Sequence, residues 1–380
     1  MNEIGVGIIG FGFMGKMHTY AYQTIPYYYS NPPFKIQLIG VCNRTLAKAE
    51  QAKELYGFRY ATDNPEELIE NQAVNVINVC NPNIEHKETV IKALAAGKHV
   101  YCEKPLTAGE AEAGEILETL AQHRSVTQMA FQYRFLPATM RAKELITSGK
   151  LGRILSFRAC YLHSGSVNPA KPIGWKQEKA AGGGALLDLG AHVLDLMYYL
   201  MGEYAAVLAC TDIIYGQRPS QMGEMVSIDA EDLVIITARM KNGSIGTIEA
   251  SKVATGTNDE LRFEIHGSSG SLRFNLMEPN WLEFFDNTLP EMPLGGSRGY
   301  VKIESVQRYP KPGGDFPPSK LSIGWTRAHV HSLYHFLEHV CEGKEPSPSI
   351  REGAYIQQVM ARITESARLG QWVQIEAKRG

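Results

Sequence analysis

The first 130 residues of the chain alternate strand-like and helix-like stretches without a break, and few architectures accept that alternation. Ile4 to Ile9 is a short apolar strand, and Lys16 to Thr24 reads as a helix. Gln37 to Asn43 is a second strand, followed by an Ala/Lys/Glu-rich helix from Leu46 to Tyr56. Val74 to Cys80 forms another strand, with a helix running to Ala95-Ala96 and closed by Gly97. His99 to Cys102 comes next, then a helix from about Gly109 to Gln122 and a last strand from Ser125 to Phe131. Strand and helix in strict turn predict an α/β fold with a doubly wound parallel sheet. Pro26-Tyr27-Tyr28-Tyr29-Ser30-Asn31-Pro32-Pro33 predicts a surface loop, and a place for a subunit contact, because proline ends the first helix.

Between the first strand and its helix stands Gly10-Phe11-Gly12-Phe13-Met14-Gly15. In this setting the first two glycines permit a tight turn and the close approach of a pyrophosphate, which then rests on the helix N-terminus. The third lets the helix pack on the strand. GxGxxG alone is a weak pattern that any glycine turn can produce, but here the strand before and the helix after are both legible. The stretch His99-Val100-Tyr101-Cys102-Glu103-Lys104-Pro105 runs from a buried strand into a charged pair and a proline. Ligands of open α/β sheets gather at such strand ends. Lys104 beside Glu103 can serve there as a fixed cation over a substrate oxygen. Taken alone, the pair also reads as an ordinary surface ion pair.

After Phe131 the texture changes, which divides the chain at residues 1–130 and 131–380. Gln132 to Pro137 is a junction, and Gln132 itself is a candidate substrate-binding residue. A helix from Ala138 to Thr147 stops at Gly149. Strands follow at Ile154–Leu162, Leu233–Met240, Ser244–Val253, Leu261–His266 and Ser271–Phe274, with Asn242-Gly243 as a hairpin turn. These predict an α+β domain with a large, mainly antiparallel sheet whose other face can stay open. Leu276 to Ser322, rich in Pro and Gly, reads as loop. Helices at Trp325–Cys341 and Arg351–Leu369 and a short strand near Val373 close the chain.

The net charge of −2 offers nothing to nucleic acid or an anionic membrane, and no apolar run is long enough to span a bilayer. The six cysteines are scattered and form no CxxC, which suits reduced thiols in a cytoplasmic protein.

A second chemical cluster lies in Gly182-Gly183-Gly184-Ala185-Leu186-Leu187-Asp188-Leu189-Gly190-Ala191-His192-Val193-Leu194-Asp195. A helix puts Asp188 and His192 on one face, a turn apart, with Asp195 further along that side. A carboxylate beside an imidazole fixes its tautomer and tunes it for acid–base work, although a helix pair with a purely structural role has the same spacing. His331, His335 and His339 share a helix face and suggest a metal, but nothing else in the chain requires one, so the expectation is no metal and a packed or solvated face.

Three motifs in order resemble the Gfo/Idh/MocA oxidoreductases, the family of glucose–fructose oxidoreductase and inositol dehydrogenase. They are Gly10 to Gly15, then Asn81-Pro82-Asn83-Ile84-Glu85-His86, then Ala96 to Val100 leading into Glu103-Lys104-Pro105. The glycine run with Asp188 and His192 is similar to the family's other motif. The resemblance implies an N-terminal Rossmann domain binding NAD(P), with Asn81, Asn83 and His86 lining the cofactor groove. It implies Lys104, Asp188 and His192 as the catalytic set, acting on a secondary alcohol of a cyclic polyol, sugar or sugar derivative. His163 stands where inositol dehydrogenases offer a histidine to substrate, and Gly174-Trp175-Lys176 resembles a levoglucosan-type subgroup in which an aromatic face suits a sugar ring. The family's open sheet face implies a homodimer or homotetramer. Two rivals are a sensor that binds cofactor without turnover and an enzyme that uses transient oxidation to eliminate a glycosidic bond.

Cofactor choice departs from the usual NAD pattern. The second strand ends in Cys42-Asn43-Arg44-Thr45, without the carboxylate that accepts the ribose 2′-OH and repels a 2′-phosphate. Neutral Asn43 and cationic Arg44 therefore favour NADP, with dual use next. In the competing reading Arg44 stacks on adenine and NAD stays fully serviceable.

Overall fold

The computed structural model describes residues 2–310 and 313–376. The chain forms two compact units. The first runs to Gln132 and is joined by Tyr309–Ser319 and Trp325–Gln357; the second holds Tyr133–Arg308, Lys320–Gly324 and the chain from Gln358.

In the first unit the elements follow in the order β1 (Asn2–Ile9), α1 (Phe13–Tyr28), β2 (Phe34–Cys42), α2 (Leu46–Tyr56), β3 (Tyr60–Thr62) and α3 (Pro65–Glu70). Then come β4 (Val76–Val79), α4 (His86–Ala95), β5 (His99–Cys102), α5 (Glu110–Ala121) and β6 (Thr127–Met129). The strands make one parallel sheet in the order β3-β2-β1-β4-β5-β6. Val76, Ile77, Val100, Tyr101 and Cys102 are fully buried, as strands covered on both faces must be. The strand order reverses between β1 and β4, and ligands of such sheets bind beyond the carboxyl ends of the strands at the reversal.

The second unit contains α6 (Pro137–Thr147), β7 (Ile154–Leu162), α7 (Ala191–Met201), β8 (Tyr204–Asp212) and a small ribbon of β9 (Gln217–Pro219) and β10 (Met225–Ser227). It continues with β11 (Leu233–Met240), β12 (Ile245–Ser251), β13 (Glu260–Gly267), β14 (Gly270–Asn275), β15 (Trp281–Asp286), β16 (Tyr300–Glu304) and β17 (Val373–Gln374). Nine strands pair in the order β16-β15-β14-β13-β7-β12-β11-β8-β17, antiparallel except for β7 beside β12. Along β11, buried Val234, Ile236, Ala238 and Met240 alternate with more exposed residues, so one face is packed and the other open. The open face carries a cavity of about 650 Å³ lined by alternating charges, among them Arg158, Glu249, Arg262, Glu264 and Arg273.

Three features differ from the sequence reading. Instead of a surface loop at Pro26, α1 continues to Tyr28 with the proline inside it. A proline in a helix costs about 3 kcal/mol. Here it is offset by burial of Ile25 and Tyr29, each worth about 1.5–3 kcal/mol. Tyr29 stacks on Tyr334 at 3.6 Å between ring centroids, and its hydroxyl lies 2.8 Å from His331 Nδ1. Secondly, the stretch from Leu276 to Ser322 is not all loop: β15 and β16 extend the large sheet, with Leu282 fully buried. The prolines and glycines that dominate its composition lie outside these two strands.

Thirdly, α8 (Trp325–Glu342) puts Val330, Leu333, Tyr334, Phe336 and Leu337 into the core built by β1, β2 and α1, so the chain returns to its first unit. The following α9 (Ile350–Leu369) contributes its first residues to that unit and the rest to the second. The helix itself was legible; which core it joins was not. On its other residues His335 Nδ1 lies 3.0 Å from Gln128 Oε1 and His339 Nδ1 lies 2.8 Å from the His335 carbonyl oxygen, which makes this a packed helix face.

Candidate functional site

The loops after β1 and β4 touch at the reversal of strand order. Gly10 has φ +92°, and a Cβ on it would stand 2.4 Å from the Asn81 backbone nitrogen, so only glycine lets the loops close. A Cβ on Gly15 would stand 2.3 Å from the Gly10 carbonyl oxygen, whereas Gly12 faces open space. The helix α1 starts there with no side-chain cap and no acidic residue in its first turn, leaving its leading N–H groups for an anion. Asn81 donates from Nδ2 to Thr89 Oγ1 at 3.0 Å, while its Oδ1 is buried without a hydrogen-bond partner among the described residues. An open glycine, an uncapped helix start and an orphaned acceptor on one rim fit a dinucleotide. Phe13 is exposed, with its ring 5.8 Å from Trp325, and Met14 packs partly against the core. At the end of β2, Asn43 Oδ1 accepts the Thr45 N–H at 3.2 Å, and Arg44 is exposed.

Beyond β5 the Glu103 carboxylate is buried. Its Oε2 accepts the Lys104 N–H at 3.2 Å, and its Oε1 lies 3.1 Å from His18 Nε2 on α1. His18 Nδ1 is 3.0 Å from Asn78 Nδ2, and Asn78 Oδ1 accepts the Tyr22 hydroxyl at 2.9 Å. Sequence reasoning missed His18, Asn78 and Tyr22; a histidine one turn into the first helix names no partner. Lys104 is half-buried, and its peptide bond to Pro105 is cis. Asn83 is buried at the start of a short 3₁₀ turn, and Gln132 is buried at the start of another. His86 departs from its expected place lining a groove. It is fully buried, with Nδ1 2.9 Å from the Pro105 carbonyl oxygen and Nε2 2.9 Å from that of Asn81. Burial pushes its pKa below the ordinary value against the pull of these carbonyls. With both nitrogens facing backbone, His86 braces two loops and offers no free polar atom to a ligand.

The second unit assembles its own cluster. A Cβ on Gly183 would lie 2.6 Å from the Lys176 carbonyl oxygen, and one on Gly184 would lie 2.3 Å from Glu231 Oε1. The glycine run therefore lets the Trp175-Lys176 segment fold back onto the start of the following helical run, where Gly184 N–H donates to Lys176 O at 3.1 Å. As a result Lys176 Nζ stands 2.9 and 3.0 Å from the two Asp188 oxygens. Lys252 Nζ stands 3.4 Å from Asp188 Oδ2. The Lys252 side chain is only 8% exposed, and burial lowers its pKa although Asp188 pulls the other way. No motif marks Lys252 in the sequence.

Leu186–Gly190 is a π-type turn that leads into α7, so Asp188 and His192 do not lie on one regular α-helix. Turns of this type recur at functional sites. His192 is 6% exposed and meets the edges of Tyr133 at 5.0 Å and Tyr161 at 5.7 Å. Asp195 serves elsewhere: its Oδ2 accepts from Arg134 Nε at 2.8 Å in a buried ion pair that ties α7 to the junction. Trp175 is partly exposed, with Lys176 Nζ 5.7 Å from its ring centroid. His163 Nε2 lies 2.9 Å from Asp259 Oδ1, a partner that sequence reasoning missed. Among the described residues no group of three or more His, Cys, Asp or Glu is arranged to hold a metal.

Residues 4–131 match the model described as oxidoreductase family, NAD-binding Rossmann fold, and residues 143–375 match its C-terminal alpha/beta domain. Levoglucosan dehydrogenase of Pseudarthrobacter phenanthrenivorans is 34% identical, with 99% of each chain covered. D-glucoside 3-dehydrogenase of Escherichia coli is 28% identical, with 98% of each covered. A levoglucosan dehydrogenase structure in complex with NADH and levoglucosan superimposes with a TM-score of 0.94 at 32% identity, over 99% of this chain and 100% of that one. Matched across both domains, the chain belongs to the Gfo/Idh/MocA oxidoreductase family.

Proposed function

We propose that this oxidoreductase removes hydride from a secondary alcohol of a cyclic sugar, polyol or sugar derivative, and that the same groups run the reverse reduction. The observation that carries the reading is His192, nearly buried between two tyrosine edges at the start of α7, just after a π-type turn that holds a lysine-flanked aspartate. His192 takes the hydroxyl proton as the carbinol C–H bond breaks, and the oxygen's electron pair becomes the second bond of the carbonyl. Asp188 supports the imidazolium that forms. The Lys104 ammonium stabilises the developing alkoxide. A nicotinamide dinucleotide, held by Gly10, Gly12, Gly15, Asn81 and the end of β2, supplies the hydride acceptor. Asn43 and Arg44 support NADP ahead of NAD. Trp175, His163 and Gln132 are the proposed substrate contacts, and the open sheet face is the proposed contact between copies of the chain.

The names of the relatives support the sugar class. The test is a screen of anhydrosugars, aldoses, glucosides and inositols for reduced-cofactor absorbance with both cofactors. Net accumulation separates a dehydrogenase from an enzyme that recycles its cofactor and from a protein without turnover. His192→Ala should lower kcat by roughly 10²–10⁴-fold with cofactor affinity little changed. Lys104→Met should also act on kcat. Near-normal turnover in His192→Ala would remove the histidine from this role.

A further inference from the structure

We infer that His18, on the helix after the glycine turn, is a positioning residue for Lys104. It holds the buried Glu103 carboxylate, which in turn fixes the backbone from which the Lys104 ammonium projects. This rests on the sugar-oxidising reading above and deepens it by naming what aims the cation.

The direction of each contact follows from the chemistry of the groups. Glu103 is 6% exposed; its Oε2 accepts the Lys104 N–H at 3.2 Å, and its Oε1 faces His18 Nε2 at 3.1 Å. The second contact lies off the line of a strict hydrogen bond. Neither of its atoms has a hydrogen-bond partner elsewhere among the described residues, so each is reserved for the other. On the far side of the ring, Asn78 is fully buried and its Oδ1 accepts the Tyr22 hydroxyl at 2.9 Å. Asn78 Nδ2 stands 3.0 Å from His18 Nδ1, and an amide nitrogen only donates, so Nδ1 must accept. The Cys80 Sγ is 3.2 Å from the same Nδ1, and burial pushes its thiol well above the ordinary value, which keeps it a donor too. The ring proton therefore sits on Nε2, towards the carboxylate. Donors run from Tyr22 through Asn78 and His18 into Glu103, and the Lys104 amide closes on the same carboxylate from the other side.

A buried histidine alone reads as packing. Two features set this one apart. First, its partners join three elements: His18 and Tyr22 lie on α1, Asn78 on β4, and Glu103 just past β5. His18 also meets Tyr101 of β5 edge-on at 5.2 Å. The helix whose start faces the open Gly12 is thereby pinned to the strand end that carries Lys104. The proposed seat of the cofactor and the proposed cation thus keep one spacing. Second, Glu103 has few ways to hold this turn. Its own N–H goes to the Val79 carbonyl oxygen at 3.0 Å, and Pro105 has no N–H, so the carboxylate acts through the Lys104 amide. A shift of about 1 Å in an electrostatic group can cost roughly 100-fold in rate.

The test uses the full-length protein. With ¹⁵N-histidine labelling and His18 assigned by its loss in His18→Gln, the wild type should show Nε2–H with unprotonated Nδ1. With ¹⁵N-lysine labelling and Lys104 assigned by its loss in Lys104→Met, the Lys104 amide should move in His18→Leu. It should return in His18→Gln, which keeps a donor for Glu103 and an oxygen for Asn78. Lys98, just before β5 and assigned by its loss in Lys98→Arg, has its N–H on the Ala93 carbonyl oxygen. Its amide should stay in place in both variants, as general loosening would not allow. In levoglucosan turnover His18→Leu should lower kcat roughly 10–100-fold, and His18→Gln should recover most of it. In a Lys104→Met background His18→Leu should cost nothing further. His18→Phe, which keeps a ring against Tyr101 but has no donor, takes the place of His18→Leu should that variant not fold. An Nδ1–H tautomer, a Lys104 amide indifferent to loss of the imidazole, or additive losses in the double variant would overturn the inference. Spectra as expected in a protein that oxidises no sugar would sink the proposed reaction and leave the positioning of Lys104 standing.

Discussion

The Lys252 ammonium lies 3.4 Å from Asp188 Oδ2 with 8% of its side chain exposed, while Lys176, closer at 2.9 Å, is 49% exposed. Distance favours Lys176, by less than a fifth. Burial favours Lys252 by more, since an effective dielectric of about 20 in place of about 80 strengthens a charge pair roughly fourfold. Lys252→Met should therefore reduce kcat more than Lys176→Met, by roughly 10-fold or more, with KM little altered. The Lys176 effect should also fade at high salt and the Lys252 effect should persist. Equal losses in the two variants, or a larger one in Lys176→Met, would show that the exposed lysine governs Asp188.

The buried pair of Arg134 and Asp195 makes a stability prediction. Asp195→Ala leaves a guanidinium 3% exposed without its carboxylate, with the rings of Tyr198 and Tyr199 at 5.7 and 5.2 Å. Breaking a buried pair on one side costs about 3–5 kcal/mol. Urea unfolding should show a loss of that order. Replacing both residues by apolar ones, Arg134→Met with Asp195→Leu, should recover most of it. A single variant as stable as the wild type would mean that Arg134 finds another partner.

Strand and helix types in the first unit could be read because each strand is short, apolar and followed by a helix with polar spacing; α2 matches its expected range residue for residue. The short β3 and α3 between Gly57 and Asn71 went unread, since Tyr60–Thr62 is too brief to carry a pattern. In the candidate site, the glycines, Lys104, Asp188 and His192 were legible because their spacing is local. His18, Lys252 and Asp259 were not, because each acts on a residue far away in the chain. Asp259 shows the limit most clearly: its partner is fixed by the register of β7 against β13, which no local pattern encodes. Asp195 shows the converse. Its spacing placed it further along the side of Asp188 and His192, yet Arg134 claimed it.

Buried histidines on α8 set the acid limit of stability. His329 is fully buried, packs on Trp325 at 4.3 Å, and has neither ring nitrogen hydrogen-bonded among the described residues. Burial, and next the nearby His18, lower its pKa well below the ordinary value. Burial likewise lowers His331, and it takes His335 down to about 3. With folded-state values below the unfolded one, the unfolded chain binds more protons once pH drops under about 6.5. Stability is thus fully present above that pH and is lost as pH falls towards the folded values, by about 1.4 kcal/mol per pH unit for each histidine. Urea midpoints should fall from pH 6.5 to 5, and His329→Phe should make that fall shallower by one proton. An unchanged slope would take His329 out of the linkage.

The last prediction concerns cofactor choice at the end of β2. There Asn43 Oδ1 is engaged by the Thr45 N–H at 3.2 Å, which leaves the amide NH₂ as the group to meet a ligand. An amide donor beside the exposed guanidinium of Arg44 suits a 2′-phosphate, and one charge-assisted hydrogen bond is worth about 1.5–3 kcal/mol. Asn43→Asp keeps an oxygen for the Thr45 N–H while replacing the donor by a negative charge. The local turn should therefore survive and only the ligand contact should change. The expected result is a fall in kcat/KM for NADP of roughly 10-fold or more, with NAD held or improved. If the wild type already prefers NAD and the variant shifts neither cofactor, Arg44 is stacking on adenine and the choice is made away from this strand end.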